Sequence, residues 1–161
     1  MMSTRSPCAA DGAPNEPQVT ATDKGWQIRL SSSPYSVRAA LKEIETKLLD
    51  GAAPCDLCER VEMVMAEVLN NVVEHAYENQ AGGVIDVLFC YQNNLFRAEI
   101  TDQGQPMPNC AVPIARLPAL SASRSDLPEG GFGWLMIHSI TSNLEYVRSG
   151  AENRTCLEIP I

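Results

Sequence analysis

Apolar residues recur along this chain with two different periods, and the switches between them delimit the elements. In "GWQIRLSSS", residues 25–33, Trp26, Ile28 and Leu30 alternate with polar positions, which predicts a half-buried strand. Over 33–51 the period lengthens. Val37, Leu41, Ile44 and Leu48 fall on one helical face, with Ser33 as N-cap, Pro34 in the first turn and Gly51 as the stop. Residues 54–83 predict a longer second helix, capped by Asp56 or its neighbours and ending near Gly82 and Gly83. Its core stripe is Val61, Met65, Val68, Val72 and Ala76. Alternation resumes in "VIDVLFCYQNNLFRAEITDQG" as a hairpin: Ile85, Val87 and Phe89 lead out, Asn93 and Asn94 turn, and Leu95 to Ile100 return. Residues 105–131 hold five prolines and no period, too long for an ordinary connection, which predicts a lid or binding loop. "GWLMIHSITS" predicts a third helix, and "NLEYVRSGAENRTCLEIPI" a closing hairpin that turns near Gly150. The first 23 residues lack periodicity and predict a mobile tail, leaving one domain over 24–161. The order β-α-α-β-β-loop-α-β-β predicts an α+β fold of two layers, a mixed, mostly antiparallel sheet with its helices on one face.

Composition narrows the partners. The 161 residues are 45% hydrophobic, enough for one sizeable core. A formal charge of −8 and no Lys/Arg cluster exclude direct nucleic-acid binding as the main role, since a polyanion is held through clustered cations. A small phosphate-bearing ligand remains compatible, because backbone dipoles hold phosphate even inside an acidic protein. No run of about 18 apolar residues predicts a transmembrane helix. The first residues lack the apolar stretch of a signal peptide, so a cytoplasmic location and no membrane association are expected. The six cysteines (Cys8, Cys55, Cys58, Cys90, Cys110, Cys156) are then expected as reduced thiols. Cys55 and Cys58 form a CxxC. Zinc would need two further ligands and redox chemistry a poised thiolate; two small residues entering a helix is the plainer alternative.

Three places carry candidate chemistry. In "AEVLNNVVEHAY", residues 66–77, Glu67, Asn71 and His75 recur every four residues on one helical ridge, away from the core stripe. A solvated face accounts for such a ridge. So does a working pair, in which the Asn71 amide oxygen is a hard ligand suited to Mg²⁺ and Glu67 accepts a proton from an attacking hydroxyl. In "AEITDQGQPM", Asp102 ends an apolar strand two residues before Gly104, either as turn chemistry or as a carboxylate facing a pocket. In "EGGFGWLMI", Gly130, Gly131 and Gly133 lead into an apolar helix, either as a tight entry or as a site where backbone N–H groups meet an anion. No Gly-Lys-Ser/Thr follows, and the flanks are not β-α-β, so it is neither a Walker loop nor a Rossmann fingerprint.

Taken in order, Glu67-x-x-x-Asn71-x-x-x-His75-Ala76, Asp102-x-Gly104, a lid and Gly131-x-Gly133 resemble the N, G1 and G2 boxes of the GHKL ATPases. These share the Bergerat ATP-binding fold with gyrase B, Hsp90, MutL and sensor histidine kinases. Within them, the compact domain and its C-terminal stretch look most like the anti-sigma-factor serine/threonine kinases of bacterial partner-switching systems. The resemblance spans residues 24–161 and implies ATP and Mg²⁺ as cofactors. Glu67 would be the general base and Asn71 would hold the Mg²⁺. Asp102 would receive the adenine amine, with Gly104 letting the base lie against the backbone. Gly131 and Gly133 would cap the phosphates, and Thr155 would stand near the adenine-binding carboxylate. The partners implied are a sigma factor and an anti-anti-sigma protein of the STAS type, with the chain a homodimer. Two positions depart from the pattern: Pro106 replaces a second G1 glycine, and Glu129 stands where some relatives carry a basic residue, a role Arg124 would take over.

Overall fold

The computed structural model describes residues 16–114 and 131–161. The alternating segments form strands β1 (Gln18–Thr22), β2 (Gly25–Ser31), β3 (Val84–Gln92), β4 (Leu95–Asp102), β5 (Asn143–Ser149) and β6 (Glu152–Pro160). The segments of helical period form α1 (Pro34–Asp50), α2 (Cys55–Asn71) and α3 (Gly131–Ile140). The strands make one sheet in the order β1-β2-β3-β4-β6-β5, and every pairing is antiparallel. The α+β layout is therefore the expected one, with a sheet more uniform than the sequence required. Between β3 and β4 the chain reverses through Asn93 and Asn94, both at positive φ, which asparagine tolerates and which matches the twist of a tight hairpin.

One face of the sheet is apolar in rows. Ile28 and Leu30 on β2, Ile85, Val87 and Phe89 on β3, Phe96, Ala98 and Ile100 on β4, and Leu157 and Ile159 on β6 are all buried. They pack under Val37, Ile44 and Leu48 of α1 and Leu57, Val61, Met65, Val68 and Leu69 of α2. Fully burying side chains of this size contributes about 1.5–3 kcal/mol each. At one end the rows turn polar while staying buried: Asp102 ends β4, with Asn153 and Thr155 beside it on β6. A polar group left unpaired in a core costs free energy, so this end of the sheet is where chemistry is to be sought.

Local rules explain α1. Ser33 caps it by accepting from the Ser36 N–H at 3.2 Å, Pro34 fills the first turn and Gly51 closes it. The second helix differs from expectation at both ends. Pro54 occupies its N-cap position with no side-chain cap, while Asp56 lies in the first turn and pairs with Arg60 at 3.3 Å. Regular α-helix stops at Asn71, and Val72–Ala76 form a π-helical turn, closed by Tyr77 N–H donating to Val72 C=O at 3.0 Å. The helical run thus ends near Tyr77, not at Gly82. The N-terminal side also differs, because Gln18–Thr22 form a strand inside the stretch expected as tail. Only Val19 of that strand packs against the core, so hydrophobic period could not announce it; its ladder to β2 holds it. The loop after β4 is described as far as Ile114, with one short 3₁₀ turn at Pro108–Cys110. Arg124, Glu129 and Gly130 lie outside the described residues.

Candidate functional site

The wall built by α2 begins at Glu67. A Cβ placed on Gly133 would overlap the Glu67 carboxylate, so the first turn of α3 rests directly on that acid and a larger residue there must displace it. Gly131 opens α3, and the leading N–H groups of a helix have no partner within it, which suits them to an anion. One turn beyond Glu67, Asn71 faces a cavity, and its amide nitrogen is buried without a hydrogen-bond partner. A buried amide left unpaired costs about 1–3 kcal/mol. His75 is exposed and borders the same cavity, past the point where the π turn has altered the ridge. The helical run ends there, so the Ala76 carbonyl has no partner within it and accepts from the Gln105 N–H at 2.7 Å, which anchors the chain leaving β4.

The opposite wall is the polar end of the sheet. Asp102 is buried, and its Oδ1 accepts from the Gly104 N–H at 2.8 Å and from Asn153 Nδ2 at 2.7 Å. Burial pushes the Asp102 carboxyl above the usual range, against the pull of Asn153, the Gly104 N–H and the Arg148 charge. Gly104 touches the π turn that follows α2 so closely that a Cβ there would overlap the Ala76 carbonyl. Replacing Gly104 by alanine is therefore expected to destabilise the fold by about 1–3 kcal/mol, as overpacking does, and to weaken nucleotide binding; urea midpoints and a nucleotide titration check both. Tyr77 braces the same corner, donating to Val84 C=O at 2.7 Å and accepting from the Gln103 N–H at 3.0 Å.

Between these walls lies a cavity of about 310 Å³, lined among others by Asn71, Ala76, Asp102, Met107, Trp134 and Asn153. Its size and its apolar walls with a few converging polar groups suit an aromatic base with one polar anchor. Of the residues expected from sequence, Asn71 and Asp102 line it and Gly104 shapes its corner; Glu67 and Gly133, which meet each other, are not among the lining residues. Thr155 is buried two register positions deeper, opposite Ile100; the residue opposite Asp102 is Asn153. Asn153, Tyr146 and Arg148 were not singled out by sequence reasoning. The available signal was an asparagine within a strand, a poor choice there unless its amide is used. Cys55 is exposed and Cys58 buried, with burial pushing the Cys58 thiol up, away from a poised thiolate. Among the described residues, no three His, Cys, Asp or Glu side chains gather into a metal-holding group. None of the described helices is long and apolar enough to cross a membrane.

An antiparallel sheet under three helices, with a carboxylate at a strand end and a glycine-led helix facing a Glu-Asn wall, defines a nucleotide-binding domain. The chain belongs to the histidine kinase-like ATPase domain family, whose pattern matches residues 30–159. It is 31% identical over 85 residues to the anti-sigma F factor of Clostridium acetobutylicum, covering 53% of this chain and 57% of that protein. It is 32% identical over 92 residues to the serine-protein kinase RsbW of Halalkalibacterium halodurans, covering 56% of this chain and 55% of that protein. The chain thus spans a little over half the length of these curated relatives. Family membership implies ATP binding. The residues fit that ligand: Asp102 offers a carboxylate to an exocyclic amine, and the orphaned Asn71 amide awaits a partner.

Proposed function

We propose that this chain is an ATP-dependent serine/threonine protein kinase that acts as an anti-sigma factor. It binds a sigma factor, and it phosphorylates a serine of an anti-anti-sigma protein of the STAS type. The reading rests on the contact between Glu67 and Gly133, which sets a carboxylate at the start of α3, one helical turn from Asn71. The names of the two relatives favour it. In the reaction, Glu67 takes the proton of the serine hydroxyl as the new oxygen–phosphorus bond forms and the bond to the β-phosphate oxygen breaks, releasing ADP. Asn71 would hold Mg²⁺ through its amide oxygen, which a χ2 flip exchanges with the buried nitrogen; the ion would neutralise phosphate charge. Asp102 and Gly104 hold the adenine, and Gly131 and Gly133 cover the phosphates. The chain works in the cytoplasm as a homodimer in this reading.

The test is transfer of label from γ-labelled ATP to the serine of a STAS-type protein from the same organism. Labelled phosphoserine supports the kinase; ATP bound tightly but recovered uncleaved overturns it. That second outcome belongs to an alternative reading, an ATP-binding module that sequesters a partner without chemistry. Pro106, which lines the cavity where the G1 pattern has a flexible glycine, is the observation that favours it.

A further inference from the structure

The Asn153 side chain makes five hydrogen bonds, none of which serves the roles of Glu67 and Asn71. It is buried on β6, directly across from Asp102. Its Nδ2 donates to Asp102 Oδ1 at 2.7 Å, to Gln105 C=O at 3.1 Å and to Gly104 C=O at 3.3 Å. Its Oδ1 accepts from Arg148 at 2.6 Å and from the Tyr146 hydroxyl. All acceptors thus surround one side of the amide and all donors the other, so its orientation is unambiguous. Arg148 donates a further bond to Gly104 C=O at 3.0 Å, and Tyr146 accepts from the Met107 N–H at 3.1 Å. The network therefore reaches Gly104, Gln105 and Met107 of the segment that leaves β4 and walls the cavity.

We propose that Asn153 is the positioning residue for nucleobase recognition. It fixes Asp102 with one carboxylate oxygen occupied and the other left for the base, and it pins residues 104–107 as a preformed wall. The inference deepens the ATP-site reading and rests on it. With Oδ1 taken by Gly104 and Asn153, no described hydrogen bond falls on Oδ2, and Asp102 lines the cavity. A carboxylate oxygen only accepts, so it pairs with the 6-amino group of adenine and repels the 6-carbonyl of a 6-oxopurine. Discrimination then depends on the carboxylate being held still, which is the work of Asn153. Tyr146 and Arg148 brace Asn153 in turn, from the neighbouring strand β5.

The discriminating variant is Asn153→Asp. It keeps the oxygen that faces Arg148 and Tyr146 but sets an acceptor in place of the donor that faces Asp102. Binding of ATP, ADP and ITP to the full chain is measured by calorimetry, with folding checked by circular dichroism. The variant is expected to bind ATP and ADP at least about tenfold more weakly and by the same factor, since the change lies at the base end. ITP affinity changes less than threefold, so the ATP-over-ITP preference collapses. A merely structural loss would weaken all three nucleotides alike. A folded variant with the wild-type ATP-over-ITP ratio overturns the proposal. Arg148→Met and Tyr146→Phe loosen the same amide and decide the matter if Asn153→Asp does not fold: a preserved ratio in both overturns it. Wild-type chain that binds ATP and ITP equally instead overturns the assignment of Asp102 to adenine, a separate failure.

Discussion

Glu67→Gln is expected to lower phosphotransfer by about 10²–10⁴-fold while ATP affinity stays within about twofold. The substitution preserves size and hydrogen-bonding reach but removes the site that receives a proton. Size matters here because the carboxylate lies against Gly133, so a larger side chain would push α3 away and a smaller one would leave a gap under it. Glutamine therefore isolates the chemistry from the packing. The cavity walls proposed to hold the base, Asp102, Asn153 and Met107, lie on the sheet and the loop after β4, away from the charge of Glu67. Single-turnover labelling of the STAS-type protein at saturating ATP, beside an equilibrium ATP titration, measures the two effects separately. Equal rates for wild type and variant would remove Glu67 from the reaction. A matching prediction follows for Gly133→Ala: its methyl group must displace the carboxylate or the helix start, so both rate and binding fall together.

The parts of this site that sequence disclosed are those whose residue type contradicts a local preference. Asn71 inside a helix, Asp102 at the end of an apolar strand and Gly133 within the first turn of α3 each sacrifice propensity; Asn71 and Asp102 line the cavity, and Gly133 lies against Glu67. Periodicity disclosed the sheet and helices for the same reason in reverse, since Ile28, Val87, Ile100 and Leu157 are buried by the faces they define. What stayed hidden depends on register and on hydrogen bonds between distant strands. Tyr146 and Arg148 look like ordinary alternation with Leu144 until the β5–β6 pairing sets Arg148 beside Asn153. The resemblance drew attention to Thr155, whereas the β4–β6 register puts Asn153 opposite Asp102 and Thr155 opposite Ile100. The π turn was equally silent, because Val72–Ala76 continue the apolar pattern of α2 while their hydrogen bonding changes. The helical run ends there, and the Ala76 carbonyl, with no partner inside the helix, accepts from Gln105 and so joins the helix wall to the strand-end wall.

Asp102→Asn is expected to cost ATP binding by about a hundredfold or more while leaving the free protein as stable as wild type or more so. The two effects have one cause. Asp102 Oδ1 accepts from Gly104 and Asn153, and an asparagine oxygen placed there keeps both bonds. The introduced amide nitrogen then occupies the other position, where it turns a donor toward the donor of the adenine amine. Loss of a charge-assisted hydrogen bond, about 1.5–3 kcal/mol, together with a newly unpaired donor, sets the expected factor. Stability moves the other way because burial raises the folded-state pKa of Asp102 above its unfolded value. For an acid shifted upward, the unfolded chain releases its proton first, so folding stability falls as pH rises from the ordinary carboxylate range through the raised folded value. Above that window wild type bears the cost of a buried charge, and the neutral amide does not. Thermal melts from pH 4 upward, with and without ATP and Mg²⁺, read both effects. Wild type should gain RT ln(1 + [L]/Kd), about 2.7 kcal/mol at a hundredfold excess of nucleotide over Kd, and the variant almost nothing. A variant that ATP stabilises as much as wild type would show that the base is anchored elsewhere in the cavity.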